Sequence, residues 1–304
     1  MVDVVIPFVR AFDFAYGRRD FVSPLIQRVI AENPGPFTFT GTGTYIVGRP
    51  DAGTTVAVID PGPMDKAHLA ALLEAVAGRT VSHVFVTHTH RDHAPLARPF
   101  AQATGAVILA ARPPLQETHA SGMLDEDEDA DFRPDIVLSG GEIVVGDGWT
   151  MEAVATPGHA SNHMAFALKE ENALFSGDHV MGWSTTVVAP PDGNMRDYMD
   201  SLDRVIARDF ETVWPTHGPP ITQVRPFLSA YRAHRLDREA QILARLQAGD
   251  RTVAEIVPIL YAGVDPRLWP AASLSVLAHL VKLVGEGRAT VVGEPSLGAV
   301  FGAT

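Results

Sequence analysis

The chain has 304 residues, a formal net charge of −12 and no cysteine. Disulfides, thiolate nucleophiles and thiolate metal sites are therefore excluded, and any metal must be held by imidazole and carboxylate, a donor set that suits zinc, iron or manganese. The acidic excess lies ahead of Ser229, because from there on eight Lys/Arg face seven Asp/Glu; a body of that sign repels phosphate backbones. The length suggests two domains. The N-terminal stretch has Asp3 and Asp13 inside its apolar run and no basic leader, so a signal peptide is not expected. No apolar run reads as long enough to cross a membrane, and the expectation is a soluble, cytoplasmic protein.

In chain order, 44–47 and 55–59 read as a hairpin turned at Gly48 and Pro50-Asp51-Ala52-Gly53. Residues 67–76 have helical spacing, 84–87 form a buried strand, 95–104 a helix with proline in its first turn, and 107–110 another strand. This alternation predicts an α/β core. The acidic run DEDEDADF, 125–132, reads as a solvated loop. Strand character returns at 143–145, 151–155, 164–168 and 173–176, and 213–215 is a short apolar run. After Pro226 the texture becomes helical over 227–246, 252–260 and 271–284, followed by short β-like pieces at 290–292 and 299–301. Three helices and a terminal hairpin predict a small winged-helix unit, with a division at 1–228 and 229–304.

The chemistry concentrates in His88-Thr89-His90-Arg91-Asp92-His93, directly after the apolar run Val84-Phe85-Val86. His88 and His90 are two apart, so an extended strand end points both to one side. Asp92 and His93 lie in the following turn, at the carboxyl end of a buried strand, where α/β sheets place their sites. Carrying so many titratable groups inward costs several kcal/mol unless something pairs with them, and a dication pairs with all at once. Downstream, His159 follows the Thr156-Pro157-Gly158 turn. The strand 164–168, its turn at 169–172 and the returning strand 173–176 fold Asp178 back towards His159. His217 follows the apolar run ending at Pro215. Seven donors suit two metals, three each with one carboxylate shared.

This pattern resembles the metallo-β-lactamase superfamily, whose signature is H-x-H-x-D-H followed by separated His, Asp and His. The resemblance implies an αββα sandwich with a binuclear site and a hydrolase using a metal-bridging hydroxide. It assigns His88, His90 and His159 to one ion, Asp92, His93 and His217 to the other, Asp178 as the bridge, and Asp60 of Val58-Ile59-Asp60-Pro61-Gly62 as the residue that orients a ligand histidine. The ions are expected to be zinc, with iron or manganese as alternatives. Asp92 and Asp178 are the candidate catalytic carboxylates, orienting the nucleophile. The stretch NPGPFTFTGTGTYIVG, Arg91, and the tail segments DREAQILARL and HLVKLVGEGRA are further similar to the lactamase-beta-like protein 2 family, which appends a winged helix and includes a single-strand-specific endoribonuclease. Ala94-Pro95 departs from that family, where Ser or Gly often follows the motif.

Other residues admit two readings. His163 has either a supporting or a substrate-contacting role, and His179 reads as a loop residue. Thr185, Thr186 and the 190–194 loop are candidates to line the cleft, although turn chemistry alone accounts for the loop. Tyr198 fits core packing. Arg91 either meets an anionic substrate or pairs with an acid. The helix at 271–284 carries Lys282 as its one formal charge, whereas a groove-reading helix needs several polar or basic residues, so no sequence-specific DNA binding is expected. A structural, lid or homodimer role suits it better. The resemblance points first to phosphodiester hydrolysis of single-stranded RNA, and the same metal site would serve the alternative, a small ester, thioester or lactone. A non-catalytic nucleic-acid-binding regulator and an iron-dependent sulfur oxygenase stand behind them.

Overall fold

The computed structural model describes residues 4–114, 129 and 131–304. Strands β1 (Arg19–Phe21), β2 (Ile26–Ile30), β3 (Gly43–Val47), β4 (Thr55–Ile59), β5 (Thr80–Val86), β6 (Val107–Ala111) and β7 (Ile136–Leu138) lie side by side in that order. They run antiparallel as far as β4 and parallel from there on. The second sheet has the order β12 (Thr212–Pro215), β11 (Ala173–Gly177), β10 (Met164–Leu168), β9 (Thr150–Ala155), β8 (Ile143–Val145), with only β11 and β12 parallel.

The layering follows from the two-residue period of a strand. In β4, Val56 and Val58 face outward beneath helices while Ala57 and Ile59 face the other sheet. In β10, Met164, Phe166 and Leu168 face inward and Ala165 and Ala167 outward. Phe85, Phe166, Phe175, Tyr45 and Trp149 fill the layer between the sheets. Helices α1 (Lys66–Ala75) and α2 (Ala97–Thr104) cover the first sheet through Leu72 and Phe100. Helices α3 (Met195–Ala207) and α4 (Val224–Gln247) cover the second through Tyr198, Leu202, Phe227 and Tyr231. The result is the expected αββα sandwich.

Local chemistry sets the helix ends. Asp65 caps α1 by accepting from the His68 N–H at 2.6 Å, and Asn194 caps α3 by accepting from Arg196 N and Asp197 N. Pro95, predicted to open a helix, sits instead in the turn before α2. That turn is fastened to the β4–α1 loop, because His93 O accepts from Gly62 N and Gly62 O accepts from Leu96 N.

The second half of α4 joins α5 (Val253–Leu260), α6 (Trp269–Gly285) and the hairpin β13 (Ala289–Val292) and β14 (Val300–Ala303) around Ile242, Leu246, Ile256, Val276, Leu280 and Phe301. A Thr252–Glu255 capping box starts α5. The division anticipated after residue 228 therefore falls inside one continuous helix: Val224 to Tyr231 pack on the sandwich and Ile242 to Leu246 in the small domain. The segment Pro266–Gly285 corrects one expectation, since with a mean hydropathy of 1.4 it is long and apolar enough to span a bilayer by length and composition. More than half of it is buried, with Leu277, Leu280 and Leu283 in the small domain's core. Most of the acidic run at 125–132 lies outside the described residues. Its end departs from a simple solvated loop: Phe132 is buried with the outer layer, and Asp129 N donates to Thr89 O at 2.7 Å.

Candidate metal centre

His88, His90 and His93 leave the end of β5 and meet His159 from the β9–β10 turn, Asp178 from the end of β11 and His217 from the end of β12. Three overlapping groups form: His88, His90 and His159; His88, His93 and Asp178; and Asp92, His93 and His217, each with its donor atoms within 4.8 Å of one another. Asp92 Oδ2 lies 3.0 Å from His217 Nε2 and 3.3 Å from His93 Nε2. Asp178 Oδ2 lies 3.5 Å from His217 Nε2, 3.6 Å from His93 Nε2 and 3.9 Å from His159 Nε2, so it sits between the two outer groups.

Several of these donors are aimed by a partner behind them. Asp60, fully buried, accepts from Thr87 N and Thr87 Oγ1 at 2.8 Å and from Thr216 Oγ1 at 3.0 Å, and its Oδ2 lies 2.9 Å from His93 Nδ1. It thus fixes the His93 ring and ties β4, β5 and β12 together at the site. His159 Nδ1 donates to Val187 O at 2.7 Å, and His217 Nδ1 to Gly41 O at 3.3 Å. His163 accepts from Asp178 N at 3.1 Å through Nε2, which places its proton on Nδ1, 2.8 Å from Thr156 Oγ1. His163 thus holds the backbone of Asp178 and is not among the grouped donors. Gly177, at φ 53°, is required here, because a Cβ would lie 2.5 Å from His163 Nε2. Gly158 likewise allows the His159 turn to approach α3, where a Cβ would meet the Tyr198 backbone at 2.3 Å.

The residues fit a pair of cations. Nε2 of His93, His159 and His217 and Oδ1 of Asp178 are buried without a hydrogen-bond partner, an arrangement that a protein sustains when something else satisfies them. Burial, reinforced by neighbouring imidazoles, keeps His88 well below its ordinary pKa, and burial lowers His90 to about 3. Both present neutral nitrogens, as ligation requires. At the other end burial also opposes charge, but carboxylates prevail: Asp92, Asp178 and Asp60 hold His93 well above its usual value, and Asp178 and Asp92 raise His217 to about 10. That half of the cluster demands positive charge.

The remaining candidates divide. Arg91 is exposed at the rim between His90 and Asp92, and Thr185 is half-buried. Thr186 does not line the cleft: it is buried, and its hydroxyl donates to Asp178 O at 2.7 Å. Tyr198 is core, as anticipated, and also donates to His179 O at 2.7 Å. Several neighbours leave no local signal in the sequence. Phe39 and Trp183 stack at 4.7 Å beside Gly218, giving the site an apolar flank. Asn162 donates to Thr89 Oγ1 at 2.8 Å inside the histidine motif.

Residues 38–217 match the metallo-beta-lactamase superfamily and residues 252–297 the beta-lactamase associated winged helix domain. The chain is 32% identical to the Beta-lactamase-like protein 2 homolog of Caenorhabditis elegans over 88% of its own length and 86% of that protein's. It is 33% identical to the atrochrysone carboxyl ACP thioesterase AacuM of Aspergillus aculeatus over 79% and 74%. A beta-lactamase domain protein from Burkholderia ambifaria superposes over 98% of this chain and 97% of that one, with a TM-score of 0.78 at 22% identity. With its ordered set of histidines and aspartates between two sheets and its appended small domain, the chain belongs to the metallo-beta-lactamase superfamily and carries the winged helix domain associated with it.

Proposed function

We propose that this chain is a two-metal hydrolase acting on a carbonyl ester of the thioester class. One observation carries the hydrolase reading: four buried polar atoms without partners, on His93, His159, His217 and Asp178, belong to donor groups that share residues. Zinc suits the all-imidazole group and the mixed carboxylate group alike, with iron or manganese as alternatives. When bound, the two ions supply Lewis acidity to the substrate oxygen and acidify water. His88, His90 and His159 would hold one, Asp92, His93 and His217 the other, and Asp178 would be common to both.

The chain's own residues do the rest. Asp178 and Asp92 would orient the attacking water. Water adds to the carbonyl carbon, the carbon–sulfur bond breaks, and the leaving thiolate takes up the proton. Asp60 keeps His93 from turning as charge shifts. The flank of Phe39 and Trp183 favours an apolar acyl group over a phosphate chain.

Two features favour a thioester over single-stranded RNA: the net charge of −12, and a thioesterase among relatives at 33% identity. The test combines metal analysis of the purified protein with a panel of acyl thioesters, esters, lactones and unstructured RNA. Two ions per chain and thioester turnover lost on chelation are expected. RNA cleavage without thioester turnover would move the reading to phosphodiesters, and a chain that binds no metal would end it.

A further inference from the structure

Arg235 of α4 is buried, at 4% exposure, and among the described residues no carboxylate pairs with it. A buried guanidinium without an acid is costly, and a neutral side chain would pack the same space without that penalty. Its contacts explain the cost. The guanidinium lies 5.0 Å from the ring centre of Tyr198 and 5.7 Å from that of Tyr231, and Nη2 donates to Thr186 O. Tyr231, one helical turn earlier, accepts from Thr186 N at 2.5 Å and donates to Thr186 Oγ1 at 3.1 Å. Every polar group of Thr186 is therefore held, and its hydroxyl in turn donates to Asp178 O. The next residue, Val187, supplies the carbonyl that fixes the His159 ring.

We infer that Arg235 is a positioning residue for the metal centre: with Tyr231 it clamps the 186–187 backbone from which Asp178 and His159 are aimed. The inference rests on the reading of the cluster as a two-metal site. The clamp acts on the group of His88, His90 and His159 and on the shared Asp178. It leaves Asp92, His93 and His217 aimed by Asp60 and Gly41. Arginine suits the task because a planar, always-charged fork can stack between two rings while donating to a carbonyl, which lysine cannot reproduce. The same helix continues into the small domain, where Glu239, four residues on, accepts from Lys282 and Arg288.

The test is release of zinc from the loaded, full-length chain into a coloured chelator, alongside thermal melting. Wild type is compared with Arg235→Met, Arg235→Lys and Tyr231→Phe, with Arg232→Ala as the control, since Arg232 pairs with the exposed Asp203. In the first variant the ion held by His88, His90 and His159 should leave about tenfold faster, and the other, which shares only Asp178 with it, by a clearly smaller factor. Arg235→Lys should be intermediate, Tyr231→Phe should shift the same ion, and the control should match wild type. Release of both ions accelerated together in step with a lowered melting point would make Arg235 a core residue only and overturn the inference. So would unchanged release in a folded Arg235→Met or Tyr231→Phe. A wild-type chain that binds fewer than two ions would overturn the two-metal reading itself; one that binds two but shows either of the preceding results loses this inference alone.

Discussion

The molecule buries two polar clusters, and they are built on opposite plans. In the small domain, Glu239 is paired from within: Oε2 accepts from Lys282 at 2.7 Å and Oε1 from Arg288 at 2.6 Å, with His279 beside it at 3.6 Å. At the sheet ends, the histidines and aspartates have carboxylates and imidazoles near one another, yet four donor atoms remain without partners. In the first cluster both oxygens of the carboxylate are paired, although the buried ring nitrogens of His279 are not. The second is complete only with something added. Burial alone does not distinguish them, since Glu239 and Asp178 are 4% and 6% exposed; the state of their hydrogen-bonding does.

The sharpest way to break that contrast is Asp178→Ala. It removes the one carboxylate common to both halves, and hydrolysis should fall to background with fewer than two ions retained, as metal analysis and thioester turnover would report. A variant retaining both ions and full turnover would remove the contrast. Asp60→Asn is next. It keeps size but replaces one acceptor oxygen behind His93 by a donor, so metal affinity should drop roughly 10–100-fold, with a lowered melting point because buried donors on Thr87 and Thr216 lose a partner. Competition titration against a chelator measures this.

Glu239→Gln should do the reverse, lowering stability by roughly 2 kcal/mol while ion retention stays at wild type. Its pH dependence has a definite sign. Burial alone would raise the Glu239 pKa, but His279, Lys282 and Arg288 together hold it at about 2. A carboxylate depressed on folding contributes stability in full above its unfolded value near 4.5, and loses it as pH falls through about 2. Denaturation curves of wild type and variant should converge across that interval. The smallest effect belongs to Arg208→Ala, which removes a two-pronged pair with Glu152 at 2.6 and 2.7 Å on the partly exposed flank of the second sheet. Its cost should stay within about 1 kcal/mol, because solvent screens it.

Legibility in the sequence followed the range of the interaction. The run from His88 to His93 is local, so its donors and the strand before it could be read directly. His159, Asp178 and His217 are distant from it, and their grouping came from the β10–β11 hairpin folding Asp178 back, from His217 following a short apolar run, and from resemblance. Strand β2 escaped because Gln27 and Arg28 are buried within it and break its apolar pattern. The contacts behind the site were illegible: Arg235 looks like any charged residue on a charged helix, and Thr186, 49 residues away, like a cleft threonine. Only folding brings the one against the other.

Because α4 is shared, the two lobes have no tether between them. A cut at residue 228 would strand Tyr231 and Arg235 on the wrong fragment and leave a bare trough where they had lain along α3 and residues 184–187. Dissection of this protein into separate halves should therefore fail as a route to an active piece, whatever chemistry the intact chain performs.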